Sequence, residues 1–260
     1  MNDFLTVRLN GNEISMMKLN GTIIYQKAVE PEPGVPIVAK YTLSDTSQTS
    51  PTYARDIPSD WTETIKNNND GTYTVTIRAS RPVSIIRFNE MHSLISMDYL
   101  DISRVDLFSS MFEGCINLTY VNTSNWSRWV ADMSNMFRYC TSLTSLDLSG
   151  LETYDNTFAG VFNSAFEGCS NLETLNISNF SLDYHNMEEG YMARNTFDGC
   201  TSLHTVRMDN CNYWFMDEIS LPSNTIPGVT KNVYCRKENM TDVNSSSRIY
   251  FHGWTVNYIV

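Results

Sequence analysis

From residue 91 onward, large apolar side chains fall at every third position, in blocks that recur. Four blocks align: Phe112-x-x-Cys115-x-x-Leu118-x-x-Val121, Phe137-x-x-Cys140-x-x-Leu143-x-x-Leu146, Phe166-x-x-Cys169-x-x-Leu172-x-x-Leu175 and Phe197-x-x-Cys200-x-x-Leu203-x-x-Val206. Their phenylalanines stand 25, 29 and 31 residues apart. A unit of that length cannot bury its apolar side alone, so successive copies must stack into a solenoid. Behind the blocks the period changes to two, in Leu146-Asp147-Leu148, Leu175-Asn176-Ile177 and Val206-Arg207-Met208. That alternation predicts a very short strand, parallel to its neighbour about 4.8 Å away, with one residue facing outward. An upstream partial copy, "HSLISMDYLDIS", carries Leu94 and Met97 at the matching offset.

Ser110 and Asn135 precede the Met-Phe pairs, and Gly114, Gly168 and Gly199 stand just before the cysteines. This predicts an N-capped single helical turn closed by a left-handed glycine. Tyr139 takes the glycine place in the second block, which predicts either mild strain or a different turn there.

The first 90 residues follow another pattern. Residues 4–27 alternate around Asn10-Gly11 and Asn20-Gly21, strong hairpin signals, and predict a three-stranded meander too small to be stable alone. Residues 28–36, "AVEPEPGVP", form a Pro-rich, semi-rigid linker. Residues 37–90 are a polar β-region in which Asn69-Asp70-Gly71 turns between strands and Tyr73, Val75 and Ile77 mark a buried face. The expected fold class is mainly β with short helical turns, a repeat solenoid preceded by small β-sheet modules.

Charge narrows the partners. A formal net charge of −11 and no Lys/Arg cluster argue against binding nucleic acid through phosphate neutralisation. No apolar run is long enough to cross a bilayer, so no membrane insertion is expected. The N-terminus lacks the basic start, apolar block and small-residue cleavage site of a signal peptide. The expectation is therefore folding in a reducing cytoplasm, where the six cysteines need not pair.

Cys115, Cys140, Cys169 and Cys200 share one register position, and the plain reading is a column of buried thiols acting as small core hydrophobes. The structural ladder is then Phe112, Cys115, Leu118, Phe137, Cys140, Leu143, Phe166, Cys169, Leu172, Phe197, Cys200 and Leu203. There is no C-x-x-C, and ligands one coil apart lack the close pairs of a zinc site, so neither metal nor cofactor is expected. Cys211 and Cys235 lie outside the ladder. Burial is the plain reading for them, and a bridge is open only if the protein matures outside the cell. Histidines are scattered, no nucleophile elbow or phosphate loop is present, and Glu188-Glu189 reads as solvated surface. Nothing asks for an enzyme.

Binding has better signals. The outward residues Asn122, Asp147, Asn176 and Arg207 form a polar stripe, either an ordinary wet sheet face or a recognition surface. Aromatics cluster in the irregular segments: Trp126 and Trp129, Tyr184, and Tyr213 with Trp214. Such rings either plug the core or anchor protein and sugar contacts.

The segments "MFEGCINL", "MFRYCTSLTSLDLSG" and "AFEGCSNLETLNISNF" resemble BspA-like leucine-rich repeats, found in bacterial surface proteins and phage proteins. The resemblance covers residues 91–260 and implies leucine-rich repeats over 91–229 and a closing C-terminal cap over 230–260. The opening "LNGNEISMMKLNGTIIYQ" resembles short hairpin modules that begin phage tail, fibre and capsid-associated proteins. It implies a virion-attachment module at 1–27, with 37–90 packing on or capping the array. Together these imply a phage virion structural protein (fibre, tail, baseplate or capsid-surface component) assembled in the host cytoplasm. Its implied partners are other virion proteins through the hairpins, and a host-surface glycan or protein through the array. A homo-oligomer is left open. The rival readings are a bacterial cell-surface adhesin of the same repeat family and, more remotely, a carbohydrate-active enzyme.

Overall fold

The computed structural model describes the backbone of residues 3–9, 12–19 and 22–27. It describes the chain in full over 35–130, 132–153, 162–181, 193–240 and 251–259, apart from the side chains of Trp214 and Glu218. β1 (Asp3–Leu9), β2 (Asn12–Leu19) and β3 (Thr22–Lys27) form an antiparallel three-stranded sheet, with Leu9 opposite Asn12 and Leu19 opposite Thr22. These strand ends flank the two Asn-Gly dipeptides.

The next strands are β4 (Ile37–Leu43), β5 (Tyr53–Arg55), β6 (Thr62–Asn67), β7 (Tyr73–Arg78), β8 (Ile85–Arg87) and β9 (Leu94–Leu100). β6 and β7 make the hairpin around Asn69 and Gly71, both at positive φ, and Val75 and Ile77 are fully buried with Tyr73 packed against them. β4 pairs antiparallel with both β7 and β9, while β9 pairs parallel with β10 (Tyr120–Val121). The polar β-region and the first coils therefore share one sheet.

The rest of the described chain is mainly β with very little helix, a β-solenoid of about five turns. A lateral pair, β11 (Arg128–Val130) with β13 (Leu151–Thr153), is separate from the main ladder of β12 (Ser145–Asp147), β14 (Thr174–Asn176), β15 (Thr205–Met208), β16 (Asn232–Arg236) and β17 (Thr255–Ile259). Every pairing within that ladder is parallel. The one α-helix among the described residues is α1 (Tyr213–Glu218), and a 3-10 turn spans Lys237–Met240. The segment expected as a closing cap thus contributes two further parallel strands, β16 and β17. Lys231 ties the preceding loop to them. Its Nζ donates to the carbonyls of Pro222 (2.6 Å) and Asn224 (2.8 Å) and lies 5.0 Å over the Trp254 ring.

The period of three has a backbone cause. In each coil the cysteine N–H donates to the phenylalanine carbonyl, and the leucine N–H donates to the cysteine carbonyl, as in Cys140 to Phe137 at 3.0 Å and Leu143 to Cys140 at 3.2 Å. Turns closed every third residue keep the same side inward. Met91 to Phe88 and Leu94 to Met91 show the same bonds at 3.1 and 3.0 Å, so the partial upstream copy is a full coil with methionine in the cysteine place. Alternate N–H groups reach the next coil instead: Phe112 to Met136 at 2.8 Å, and Gly114 to Arg138 at 2.7 Å.

The capped helical turn is not what forms. Consecutive turns stand in its place, and Ser110 and Asn135 have φ of 56°, in the left-handed region, not the extended geometry that an N-cap requires. Ser and Asn suit that place because small polar residues tolerate left-handed backbone. Tyr139, at φ 59°, keeps the same turn as Gly114 and Gly168. Its ring is held under Arg138 at 4.6 Å, and its hydroxyl meets Glu167 Oε1 at 3.0 Å. A Cβ on Gly168 would stand 2.2 Å from that ring, so glycine in the third coil makes room for tyrosine in the second. Arg138 also bridges Glu113 (3.5 Å) and Glu167 (3.0 Å). Burial pushes the Glu167 carboxyl up, but bonds from Ser164, Arg138 and Tyr139 bring it below its ordinary value.

Inside, the rings of Phe88, Phe112, Phe137, Phe166 and Phe197 stack nearly parallel, with centroids 5.3–6.0 Å apart. Beside them each ladder thiol donates to the phenylalanine carbonyl of the preceding coil: Cys115 to Phe88, Cys140 to Phe112, Cys169 to Phe137 and Cys200 to Phe166, at 3.0–3.1 Å. Those carbonyls thereby gain a second bond inside the core. Cys211 does the same to Ile177 at 2.9 Å, and all six cysteines are free and buried. Burial raises the Cys115 and Cys200 thiols to about 12 and Cys235 to about 11. Thiolate, the reactive form, is thus suppressed. The native protein is expected to show no fast reaction with Ellman's reagent at pH 8, and six equivalents in denaturant. Any thiol that titrates at native rates would contradict the column.

Candidate functional site: a groove on the strand face

The solenoid strands should form one unbroken ladder, and they do not. Along the leading edge of the strands each coil is joined to its neighbour by a backbone bond. Thr119 N–H reaches Ile95 O (2.8 Å), Glu173 reaches Thr144 (2.8 Å), His204 reaches Glu173 (3.1 Å), Asn232 reaches His204 (2.7 Å) and Thr255 reaches Lys231 (2.8 Å). The equivalent rung between Thr119 and the Thr144–Ser145 segment is missing, and β10 and β12 belong to different sheets. The two coils remain joined elsewhere. Phe112 N–H reaches Met136 on the turn side, Arg128 N–H reaches Gly150 O at 3.3 Å, and Thr123 Oγ1 donates to Asp147 O at 2.5 Å.

Beside the missing rung the two coils approach tightly at Gly150. A Cβ there would come within 1.8 Å of the Trp126 carbonyl oxygen, so the backbones of these coils meet closely at β11 and β13. Trp126 is itself buried, its indole N–H donating to Leu100 O at 3.2 Å. Trp126 and Gly150 both border the opening, beside Asn122 and Asp147.

The opening is a groove of about 640 Å³, and all four residues of the polar stripe line it. Asn122, Asp147, Asn176 and Arg207 are therefore brought together, but they do different work. Asn122 is spent internally, its Nδ2 donating to Asp98 O (2.9 Å) and its Oδ1 accepting from Ser124 N (3.1 Å). Asp147 Oδ1 accepts from Ser149 N at 2.9 Å, and Asn176 Oδ1 accepts from the Ser178 N–H and hydroxyl. Arg207 pairs with Asp209 and lies 5.5 Å over the Tyr234 ring.

The aromatic candidates are scattered. Trp126 reaches the groove from below as a packed ring, and Trp129 is 56% exposed on β11, outside the groove lining. Tyr213 packs partly buried against the core. Trp214 lies in α1 with its side chain outside the described residues, and Tyr184 lies outside them altogether. Phe215, next to Trp214, is core, with its ring 5.0 Å from Phe162 and 5.8 Å from Phe180. Two residues that sequence reasoning missed belong here. Tyr120, 53% exposed, stands on the groove wall, and Tyr234 supports Arg207. Tyr120 was legible in principle, being the residue just outside Val121 in the first block.

Among the described residues no three His, Cys, Asp or Glu side chains gather as a metal site, and no helix is long and apolar enough to cross a membrane. Comparison with protein-family profiles, curated proteins and solved structures finds no match.

Proposed function

We propose that this protein is a recognition component of a phage virion, an array of BspA-like leucine-rich repeats held to the particle by the hairpins of residues 1–27. The observation that carries the recognition half is the groove. Four outward residues singled out by register converge on an opening where the ladder lacks a rung. The virion half rests on the likeness of the opening hairpins to attachment modules. Single contacts from such a face are weak, and many copies per particle acting together supply useful attachment.

Mass spectrometry of purified particles tests the reading, together with a phage carrying the gene without codons 1–36. The intact protein is expected on particles and the truncated one is expected to be lost from them, with its circular dichroism still that of a β protein. Particles that retain the truncated form would remove the attachment role. Finding the intact protein on washed bacteria and on no particle would replace this reading with the cell-surface adhesin of the same repeat family.

A further inference from the structure

We propose that the groove binds a neutral glycan, a reading that rests on the recognition role above and names its ligand class. The argument is one of what the free groups can satisfy. Among the described residues, the hydroxyls of Ser145, Thr174 and Thr205 have no protein partner, nor do Asp147 Oδ2 and Asn176 Nδ2. Ser145, Thr174 and Thr205 share one register column, and Asp147 and Asn176 share the next outward one, so a row of three free hydroxyls runs beside a free acceptor and a free donor. A ligand dense in hydroxyl groups matches both roles at once, because each hydroxyl donates and accepts.

Other ligand classes fit less well. An apolar ligand would strip water from these groups without replacing its bonds. An anionic ligand would meet the Asp147 carboxylate, while the nearby cation, Arg207, is already engaged by Asp209 and Tyr234. A peptide strand cannot slot into the missing rung. Cα atoms of β10 and β12 approach within 8 Å, whereas an inserted strand needs a neighbour about 4.8 Å away on each side. The gap is too wide for the strands to bond each other and too narrow for a third. A sugar ring laid over it can present hydroxyls to the edges. Tyr120, half exposed on the wall, offers a flat face for the C–H side of a pyranose.

The test uses the full chain against immobilised neutral and acidic oligosaccharides, followed by solution titration with the best neutral hexasaccharide. At least one neutral glycan is expected to bind. Asp147→Asn and Tyr120→Ala are expected to weaken it tenfold or more, whereas Tyr258→Ala on β17, outside the groove lining, leaves it unchanged. All three positions are exposed, so folding is not at stake. Binding confined to acidic glycans, or neutral binding indifferent to Asp147→Asn and Tyr120→Ala, would overturn the assignment. Host cells separate the two levels of the claim. Attachment lost after periodate treatment supports the glycan. Attachment lost only after protease, and sensitive to the groove variants, keeps the recognition role and removes the glycan. Attachment insensitive to the groove variants removes the recognition role itself.

Discussion

Replacing Phe137 by alanine is expected to destabilise the protein by about 3–5 kcal/mol, the range for a buried aromatic ring cut to a methyl. The ring is fully buried at the centre of the column, 5.3 Å from Phe112 and 6.0 Å from Phe166. Its removal costs transfer energy, two stacking contacts and a cavity. The cavity cannot close readily, because the coils on either side are held at fixed spacing by Phe112 N–H to Met136 O and Phe137 N–H to Ala165 O. A domain of ordinary stability has only about 5–15 kcal/mol in hand, so the variant should unfold at a much lower urea concentration. Phe137→Leu, which refills most of the space, should lose far less. If alanine costs under about 1 kcal/mol, the ring column is not the main support of the array.

Adding one methyl group at Gly150 is expected to be nearly as damaging. The new Cβ would sit 1.8 Å from the Trp126 carbonyl oxygen, a backbone atom that cannot rotate aside. One of two coils must move, and with it the Arg128 N–H to Gly150 O rung. A loss of about 3 kcal/mol or more follows, at or beyond the upper end for overpacking. Gly228→Ala is the control. Its φ of 75° is left-handed but nothing lies within 4 Å of the added Cβ, so only backbone strain of about 1–2 kcal/mol is expected. Thermal melting of the two variants compares them directly. Equal losses would mean that the close approach of Trp126 and Gly150 is not a tight constraint on packing.

Much of the fold could be read from the chain alone, because its cause is periodic. A large residue every third place forces turns closed every third residue, and a change to period two forces a short strand. Phe, Cys and Leu in register force columns. These demands act within one coil and its neighbours, so Cys140 and Leu143 stand where their spacing puts them. The hairpins around Asn69 and the Asn-Gly pairs are equally local.

The turn chemistry was less legible. Ser110 and Asn135 suit an N-cap and a left-handed turn alike, and only the demand that alternate N–H groups reach the next coil decides between them. Tyr139 in a glycine place is explained by Gly168 and Glu167, 29 and 28 residues away, which no local pattern couples to it. The first coil was legible only in part, from Leu94 and Met97, because methionine stands in its cysteine place although the three-residue spacing runs on from Phe88.

The sequence by itself determined that this chain winds into stacked coils with a polar stripe outside and phenylalanines and thiols within. The tertiary structure alone decided that the stripe opens into a groove. It opens where two neighbouring coils lack a rung, bordered by Trp126 and Gly150, residues 24 apart that no local pattern couples. Spacing dictates which side chains share a column, whereas the distance between two backbones depends on everything packed between them.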